Sequence, residues 1–477
     1  MSEKLAILGG TPVRTKPFVV EPMIDEAEER LVLQAIREKN FSRYIGIAVG
    51  RDVLEMPSVD AADVGDYWHF LGGPNVRAFG AEFARKFGVP YAIPISSATV
   101  GIGVALAASG VGPGDEVILP AISFSATANA VLMHDSIPVF VDVDPDTFCI
   151  DTAAVEKAIS PRTKAILPVH LAGNVSDMGR LLGIASRHGL KIIEDACQAI
   201  GAAWGNQKAG SVSDAGVFSF QQSKNIMTGE GGMIITRNPD IAARARLILN
   251  HGELAFGEDA SEDDLANIVG LNFRMPELCA AVGRAQLAKL DKVNDWRTRN
   301  ADVLRAELNG IPGISLPPSQ RTTGGPAREV PHFFTLLFDE KQAGIPRALF
   351  VAALREEGVP VGTGYARPMY AAQHFRKRIA YGRDGWPWKG NVHGDSPVTY
   401  EPDMCPVAED LIANRFVWLY HIAYSSTESD MQDVAAAIRK VMAHRAALAA
   451  AAPSLAHKLG GHNAGRIGLA PQQFKSG

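Results

Sequence analysis

Cysteine is scarce in this chain, and what there is carries no pattern. The four cysteines, Cys149, Cys197, Cys279 and Cys405, stand far apart without the short spacings of a metal site. They fit reduced thiols in a reducing compartment better than a disulfide framework. An excess of one charge is also missing, since 47 Lys and Arg against 52 Asp and Glu leave a formal net charge of -5. So mild an acidity gives no electrostatic reason to expect a nucleic acid or a membrane surface as partner. Long apolar runs are absent as well. The longest candidate, residues 117–133, is broken by Pro120, Ser123, Ser125, Thr127 and Asn129, and no run is long enough to span a bilayer. The charged opening Met1-Ser2-Glu3-Lys4-Leu5 lacks the apolar core of a secretory signal. The expectation is a cytoplasmic protein without internal repeats, long enough for about two or three domains and a large buried core.

What is present is an alternation of elements. Helices are expected over residues 76–87, 99–109, 152–159 and 177–188, and strands over 116–119, 138–143, 165–168, 191–194, 216–220 and 232–236. The strands are β-branched and almost continuously apolar, the pattern of strands covered on both faces. That order predicts the α/β class with a mostly parallel sheet, in which ligands sit beyond the carboxyl ends of the strands. A long helical region over about 276–308 leads into a smaller α+β unit. The expected division is a large domain with an N-terminal arm at 1–290, a small C-terminal domain at 291–450 and a flexible tail at 451–477. Disorder is expected after about Ala452, where an alanine run gives way to Gly and Asn. Residues 382–402, crowded with Gly, Pro and Trp, read as a long loop.

Two positions at strand ends suggest chemistry. Asp195 closes the run Lys191-Ile192-Ile193-Glu194-Asp195, and Lys224 follows in Ser219-Phe220-Gln221-Gln222-Ser223-Lys224-Asn225, ahead of Gly229-Glu230-Gly231-Gly232. A buried amine can capture a carbonyl as a Schiff base, and a strand-end Asp is what a protonated pyridine nitrogen needs. Together they point to pyridoxal phosphate. Ser96-Ser97-Ala98-Thr99 lies between a strand and a helix, where backbone N–H groups and hydroxyls bind a phosphate. Phe124 and Ser219 stand at further loop positions of the same sheet. Each has a plainer reading alone: a helix cap, a core aromatic, a solvated lysine. Only the combination in one order carries the inference.

At these residues the chain resembles the DegT/DnrJ/EryC1/StrS family of aminotransferases, which are fold type I enzymes dependent on pyridoxal phosphate. The marks are Gly112-Pro113-Gly114-Asp115-Glu116-Val117, Pro168-Val169-His170-Leu171-Ala172-Gly173, Glu194-Asp195-Ala196-Cys197-Gln198-Ala199, the Lys224 and Gly229 segments, and Gly270-Leu271-Asn272-Phe273-Arg274-Met275. The resemblance implies Lys224 as the Schiff-base and proton-moving lysine, and Asp195 as the partner of the ring nitrogen. It implies Gln198 near the ring hydroxyl, Phe124 on the ring face, Ala98, Thr99 and Ser219 at the phosphate, and Asn272 reaching the phosphate of a neighbouring subunit. A homodimer with shared sites follows. Tyr365, Arg367 and His421 are candidates to meet a small-molecule amino donor or a cyclic keto acceptor, and His170 is more simply a hydrogen-bonded structural residue.

The chain departs from the family pattern in Ala98-Thr99 where Gly-Thr is usual, in about twenty extra residues near 45–69, and in the Trp386-Pro387-Trp388 loop. Leu8-Gly9-Gly10-Thr11-Pro12-Val13 and Val417-Trp418-Leu419-Tyr420-His421 resemble most the branch with cyclitol aminotransferases and 3-amino-5-hydroxybenzoate synthases. The implied activity is transfer of an amino group from glutamine or glutamate to a keto-sugar, keto-cyclitol or related ring ketone in aminosugar, aminocyclitol or antibiotic biosynthesis. A dehydratase or aromatase on the same cofactor, and a non-catalytic regulator that binds it, are the alternatives.

Overall fold

In a computed structural model, the structure describes residues 4–19, 21–44, 47–48, 51–61, 66–254, 269–365 and 367–459. Its centre is a seven-stranded sheet. In chain order the strands are β1 (Tyr91–Ile95), β2 (Glu116–Pro120), β3 (Ile137–Val141), β4 (Thr163–Ile166), β5 (Lys191–Asp195), β6 (Ala215–Ser219) and β7 (Gly232–Thr236). Their spatial order is β1-β7-β6-β5-β4-β2-β3. The four pairings from β6 through β3 are parallel, while β7 runs antiparallel to both of its neighbours. This is the α/β class with the mostly parallel sheet that the apolar runs predicted.

Strand β1, expected before Ser96 but given no bounds in the sequence reading, carries Pro94 in its interior. The structure shows why Pro94 is tolerated. Strand β1 is an edge strand, and Ala92, two residues earlier and on the same side, turns its N–H and C=O away from β7 to the hydroxyl of Ser58, 2.9 Å from each. A proline on that side leaves no ladder bond unmade.

The opposite edge, β3, is closed by the long loop at 382–402. Tyr400 Oη donates to Pro138 C=O at 2.8 Å and accepts from Trp388 Nε1 at 2.8 Å, while Trp386 Nε1 donates to Asp135 at 2.7 Å. Sheet edges invite unwanted pairing, and both are covered by segments outside the regular alternation.

The second unit holds a four-stranded antiparallel sheet of β8 (Ile314–Ser315), β9 (Phe334–Phe338), β10 (Gly362–Thr363) and β11 (Phe416–Leu419), in the order β8-β9-β11-β10. The helix Glu277–Leu308 joins the two units.

The two units exchange segments. Leu5 and Ile7 of the N-terminal arm belong to the core of the second unit. There the buried carboxylate of Glu357 accepts from Ala6 N (2.8 Å), Val13 N (2.9 Å) and Lys440 Nζ (3.0 Å). Conversely Met369, Tyr370, Phe375, Trp388, Tyr400 and Leu411 pack in the core of the seven-stranded sheet. Helix Arg445–Leu459 runs past Ala452 and buries Leu448 and Leu455, and the rest of the expected tail lies outside the described residues. Alanine is a strong helix former, and the two leucines give that helix a face to dock.

Trp388 is fully buried and anchors the loop that closes β3. Trp388→Ala is expected to lower stability by about 3–5 kcal/mol, read as a lower urea midpoint at unchanged slope.

Candidate active site

The register of three strands brings the separate motifs to one edge. Gly232, first in β7, pairs with Ser219 at the end of β6 and with Ile95 at the end of β1. Asp195 pairs with Val217, two residues before Ser219. The ends of β1, β5 and β6 therefore lie side by side. Helix Ala98–Ala108 starts just beyond β1, and its Ser97 cap makes no side-chain hydrogen bond to the first turn. A Cβ on Gly232 would lie 2.7 Å from Ala98 N and 2.8 Å from Ser97 C, so glycine alone lets β7 reach this helix end. The result is an uncapped helix N-terminus with Thr99 exposed beside it and Ser219 two strands away.

Asp195 is buried and oriented by donors. Thr127 Oγ1 donates to its Oδ2 at 2.8 Å, and Cys197 N donates to its Oδ1 at 3.2 Å. Because the Thr127 proton is spent on Asp195, the 2.8 Å contact between Ser123 and Thr127 has Ser123 as donor. Phe124 sits in the same turn and is 60% exposed, an unusual state for a phenyl ring.

Lys224 has its amine pKa pushed below the ordinary lysine value by loss of hydration, with the Asp195 carboxylate pulling it back upward. Burial, reinforced by Asp195, holds the Cys197 thiol well above its usual range, so it stays a thiol. Gln198 is locked at both ends: its Oε1 accepts from Ala172 N at 2.9 Å and its Nε2 donates to Tyr365 Oη at 3.2 Å. Burial pushes the Tyr365 phenol up to about 12, which keeps its proton.

Three further candidate positions make other contacts. Arg367 is exposed. Asn272 is exposed too, its Oδ1 accepting from Arg274 Nε at 2.9 Å, although Phe273 C=O accepts from Ser96 N and so keeps the segment beside the helix end. His421 packs against Phe18 at 5.3 Å between ring centroids. It lies under the arm that Arg14 ties to Asp430 and Asp433.

His170 is fully buried. Its Nδ1 accepts from Ser176 N at 3.2 Å, so its Nε2 carries the hydrogen given to Glu194 at 2.9 Å. Glu194 also accepts from Gly210 N, Val212 N, Ser213 N and Ser213 Oγ at 2.7–2.9 Å. This is a structural pair, and it braces the strand that carries Asp195.

Thr127 and Ser123 escaped the sequence reading. Nothing in their spacing marks them: Thr127 meets Asp195 across 68 residues of chain, and Ser123 comes in only through Thr127.

The donor set fits a phosphorylated pyridine aldehyde. An uncapped helix end and Ser219 suit the phosphate, an exposed phenyl suits the ring face, a donor-braced carboxylate suits the ring nitrogen, and a poorly hydrated amine suits the aldehyde.

A sheet in this order, with its seventh strand reversed and a lysine loop over its carboxyl edge, defines a fold type I aminotransferase. The chain belongs to the DegT/DnrJ/EryC1/StrS aminotransferase family, whose pattern it matches over residues 54–390. It is 35% identical over 462 residues to the L-glutamine:2-deoxy-scyllo-inosose aminotransferase of Streptomyces kanamyceticus, covering 94% of this chain and 99% of that one. Among solved structures it resembles 3-amino-5-hydroxybenzoic acid synthase, with TM-score 0.70, 28% identity and coverage of 90% and 100%. It also resembles DesI, solved in the presence of its TDP-sugar product, with TM-score 0.71, 27% identity and coverage of 95% and 98%. Among the described residues no helix is long and apolar enough to cross a membrane.

The His421 pKa is pushed down to about 4, first by burial and then by Arg14. An unfolded histidine takes its proton near 6.5. Between these values the unfolded chain binds the extra proton, so stability falls as pH drops below about 6.5. The thermal midpoint of a His421→Phe chain is expected to drop less between pH 7 and pH 5 than that of the unsubstituted chain.

Proposed function

We propose that this chain is a pyridoxal-phosphate-dependent aminotransferase that moves the amino group of glutamine or glutamate to the carbonyl of a keto-cyclitol or related keto-sugar. The observation that carries the reaction is the Lys224 amine, depressed by burial and set against Asp195 and Cys197. What supports the acceptor class is likeness, over nearly the whole length, to an enzyme named for glutamine and 2-deoxy-scyllo-inosose.

Bound pyridoxal phosphate supplies a carbonyl carbon for amines to condense with and a ring that accepts the electron pair left by a departing proton. The chain does the rest. The helix end at Ala98 and Thr99, with Ser219, would hold the phosphate, and Phe124 would cover one face of the ring. Asp195, fixed by Thr127 and the Cys197 N–H, keeps a proton on the ring nitrogen. Gln198, hydrogen-bonded to Tyr365, would meet the ring hydroxyl.

Lys224 Nζ then works as the base. With its pKa lowered it is free to take a proton from the donor's α-carbon and return one to the neighbouring carbon. The acceptor half-reaction reverses these proton moves at the same nitrogen. Tyr365 keeps its phenolic proton and can donate it to a hydroxylated acceptor.

A homodimer with shared sites, in the cytoplasm, completes this reading. The dimer is supported by Val269 and Leu271, 78% and 51% exposed, just ahead of Asn272. Light scattering is expected to give twice the mass of one chain.

Purified protein with pyridoxal phosphate is expected to show a visible absorbance band that glutamine or glutamate bleaches, and mass spectrometry of an acceptor panel should find an aminated ring. Lys224→Ala should remove the band and slow transfer by at least about 10²–10⁴-fold. Full transamination by Lys224→Ala would overturn the mechanism. A band that no donor bleaches, with dehydrated or aromatised product, would instead favour the chemistry of the benzoate-synthase relative.

A further inference from the structure

The backbone on either side of Lys224 is held by groups that the reaction itself does not use. Before it, Ser223 C=O accepts from the Tyr420 hydroxyl, and the Arg297 guanidinium lies over the Tyr420 ring at 5.5 Å. After it, the buried side chain of Asn225 joins a closed chain of hydrogen bonds. Asn294 Nδ2 donates to Ile200 C=O at 2.9 Å, so Asn294 turns its Oδ1 to Asn225 and accepts from Asn225 Nδ2 at 3.0 Å. Asn225 therefore has only Oδ1 left, which meets His332 Nδ1 at 3.1 Å. The hydrogen on His332 must then be on Nδ1, since two acceptors cannot face each other.

The ends of this chain are anchored in the site. Ile200 lies two residues beyond Gln198. His332 N donates to Ala172 C=O at 2.9 Å, and Ala172 N is the donor that orients Gln198. The C=O of His332 accepts from Arg297 Nη1 at 2.6 Å. Gly201, at φ +94°, makes room for Asn294, whose Nδ2 would stand 2.4 Å from a Cβ there.

We infer that His332 is a positioning residue of the transfer reaction, acting through Asn225 to fix where the Lys224 amine stands relative to Asp195 and Gln198. This rests on the aminotransferase reading given above and names a residue that serves it without touching the reacting atoms. His332 is neutral in this place, because burial, with the charges of Lys224 and Arg297, lowers its pKa well below the usual value. Replacing it removes a hydrogen bond and no charge. The charged or titratable groups facing Lys224 are then Asp195 and Cys197, which the substitutions leave in place.

The test compares two ligands on the full chain. Pyridoxal 5′-phosphate can bond covalently to Lys224, while pyridoxamine 5′-phosphate fills the same pocket and cannot. A residue that only supports the pocket affects both alike. A residue that positions the amine affects covalent capture alone. Affinity for each is measured by absorbance and fluorescence titration of the unsubstituted chain and of His332→Gln, His332→Asn and Asn225→Leu.

His332→Gln and Asn225→Leu are expected to weaken capture of the aldehyde by about tenfold or more with pyridoxamine phosphate binding unchanged. His332→Asn places an N–H close to the original Nδ1 and is expected to retain most of the capture. Equal loss for both ligands, or an unchanged ratio in His332→Gln, overturns the inference and leaves the aminotransferase reading standing. A variant that fails to fold loses both ligands, and the ratio in the remaining variants then decides. Absence of covalent capture in the unsubstituted chain overturns both readings together.

Discussion

One close approach of backbone to backbone underlies the site. Strand β7 runs against its neighbours, and its first residue must pass within 2.8 Å, measured from where a Cβ would stand, of the turn between β1 and the next helix. Only glycine permits that contact. Given Gly232 there, the register sets Ile95, Gly232 and Ser219 in a row, and the helix end at Ala98 comes within reach of the same ligand as Ser219. A larger residue would push the helix N-terminus away from the sheet edge and separate the groups that the phosphate needs together. The proposed phosphate site is thus a consequence of strand pairing, and the hydroxyls are additions to it.

Around this edge the interior spends polar groups freely, and each is matched. Glu194, fully buried, collects one imidazole and four backbone or hydroxyl donors from the loop at 210–213. Asn225 and Asn294 have their amide orientations dictated by Ile200. Matched buried polar groups contribute modest net stability but penalise every arrangement that unmatches them. Rigid placement follows, which is what a carboxylate and an amine that must share one small ring require.

The alternation of apolar runs was sufficient for the class of fold and six of the seven strands, because strands covered on both faces leave a periodicity that short segments retain. Lys224, Asp195, Ser219 and the Ser96-Ser97-Ala98-Thr99 turn could be singled out as candidates because phosphate and Schiff-base chemistry demand particular side chains at loop starts. The bounds of strand β1 were hidden by Pro94, whose acceptability depends on being at an edge, a fact of assembly. Thr127 and Asn225 were hidden for a similar reason: an ordinary threonine and asparagine acquire a role only through partners 68 and 69 residues away. The crossing over of the two units, with Leu5 in one core and Trp388 in the other, has no local signature at all.

The same reasoning accounts for the two segments that depart from the family pattern. The inserted residues near 45–69 include Ser58, which takes both outward-facing groups of Ala92 on β1. They are held in turn by the buried Arg246, which donates to Leu54 C=O at 2.6 Å and Met56 C=O at 2.8 Å. At the far edge the Trp386-Pro387-Trp388 loop gives Tyr400 to β3. An open sheet has two edges, and this chain closes each with a segment whose polar atoms substitute for a missing strand. The part of the insertion around Ser58 therefore serves the sheet before it serves any substrate. Acceptor choice is then left to surfaces not committed to an edge, such as the Tyr365 hydroxyl on Gln198, where a change can be made without exposing a strand.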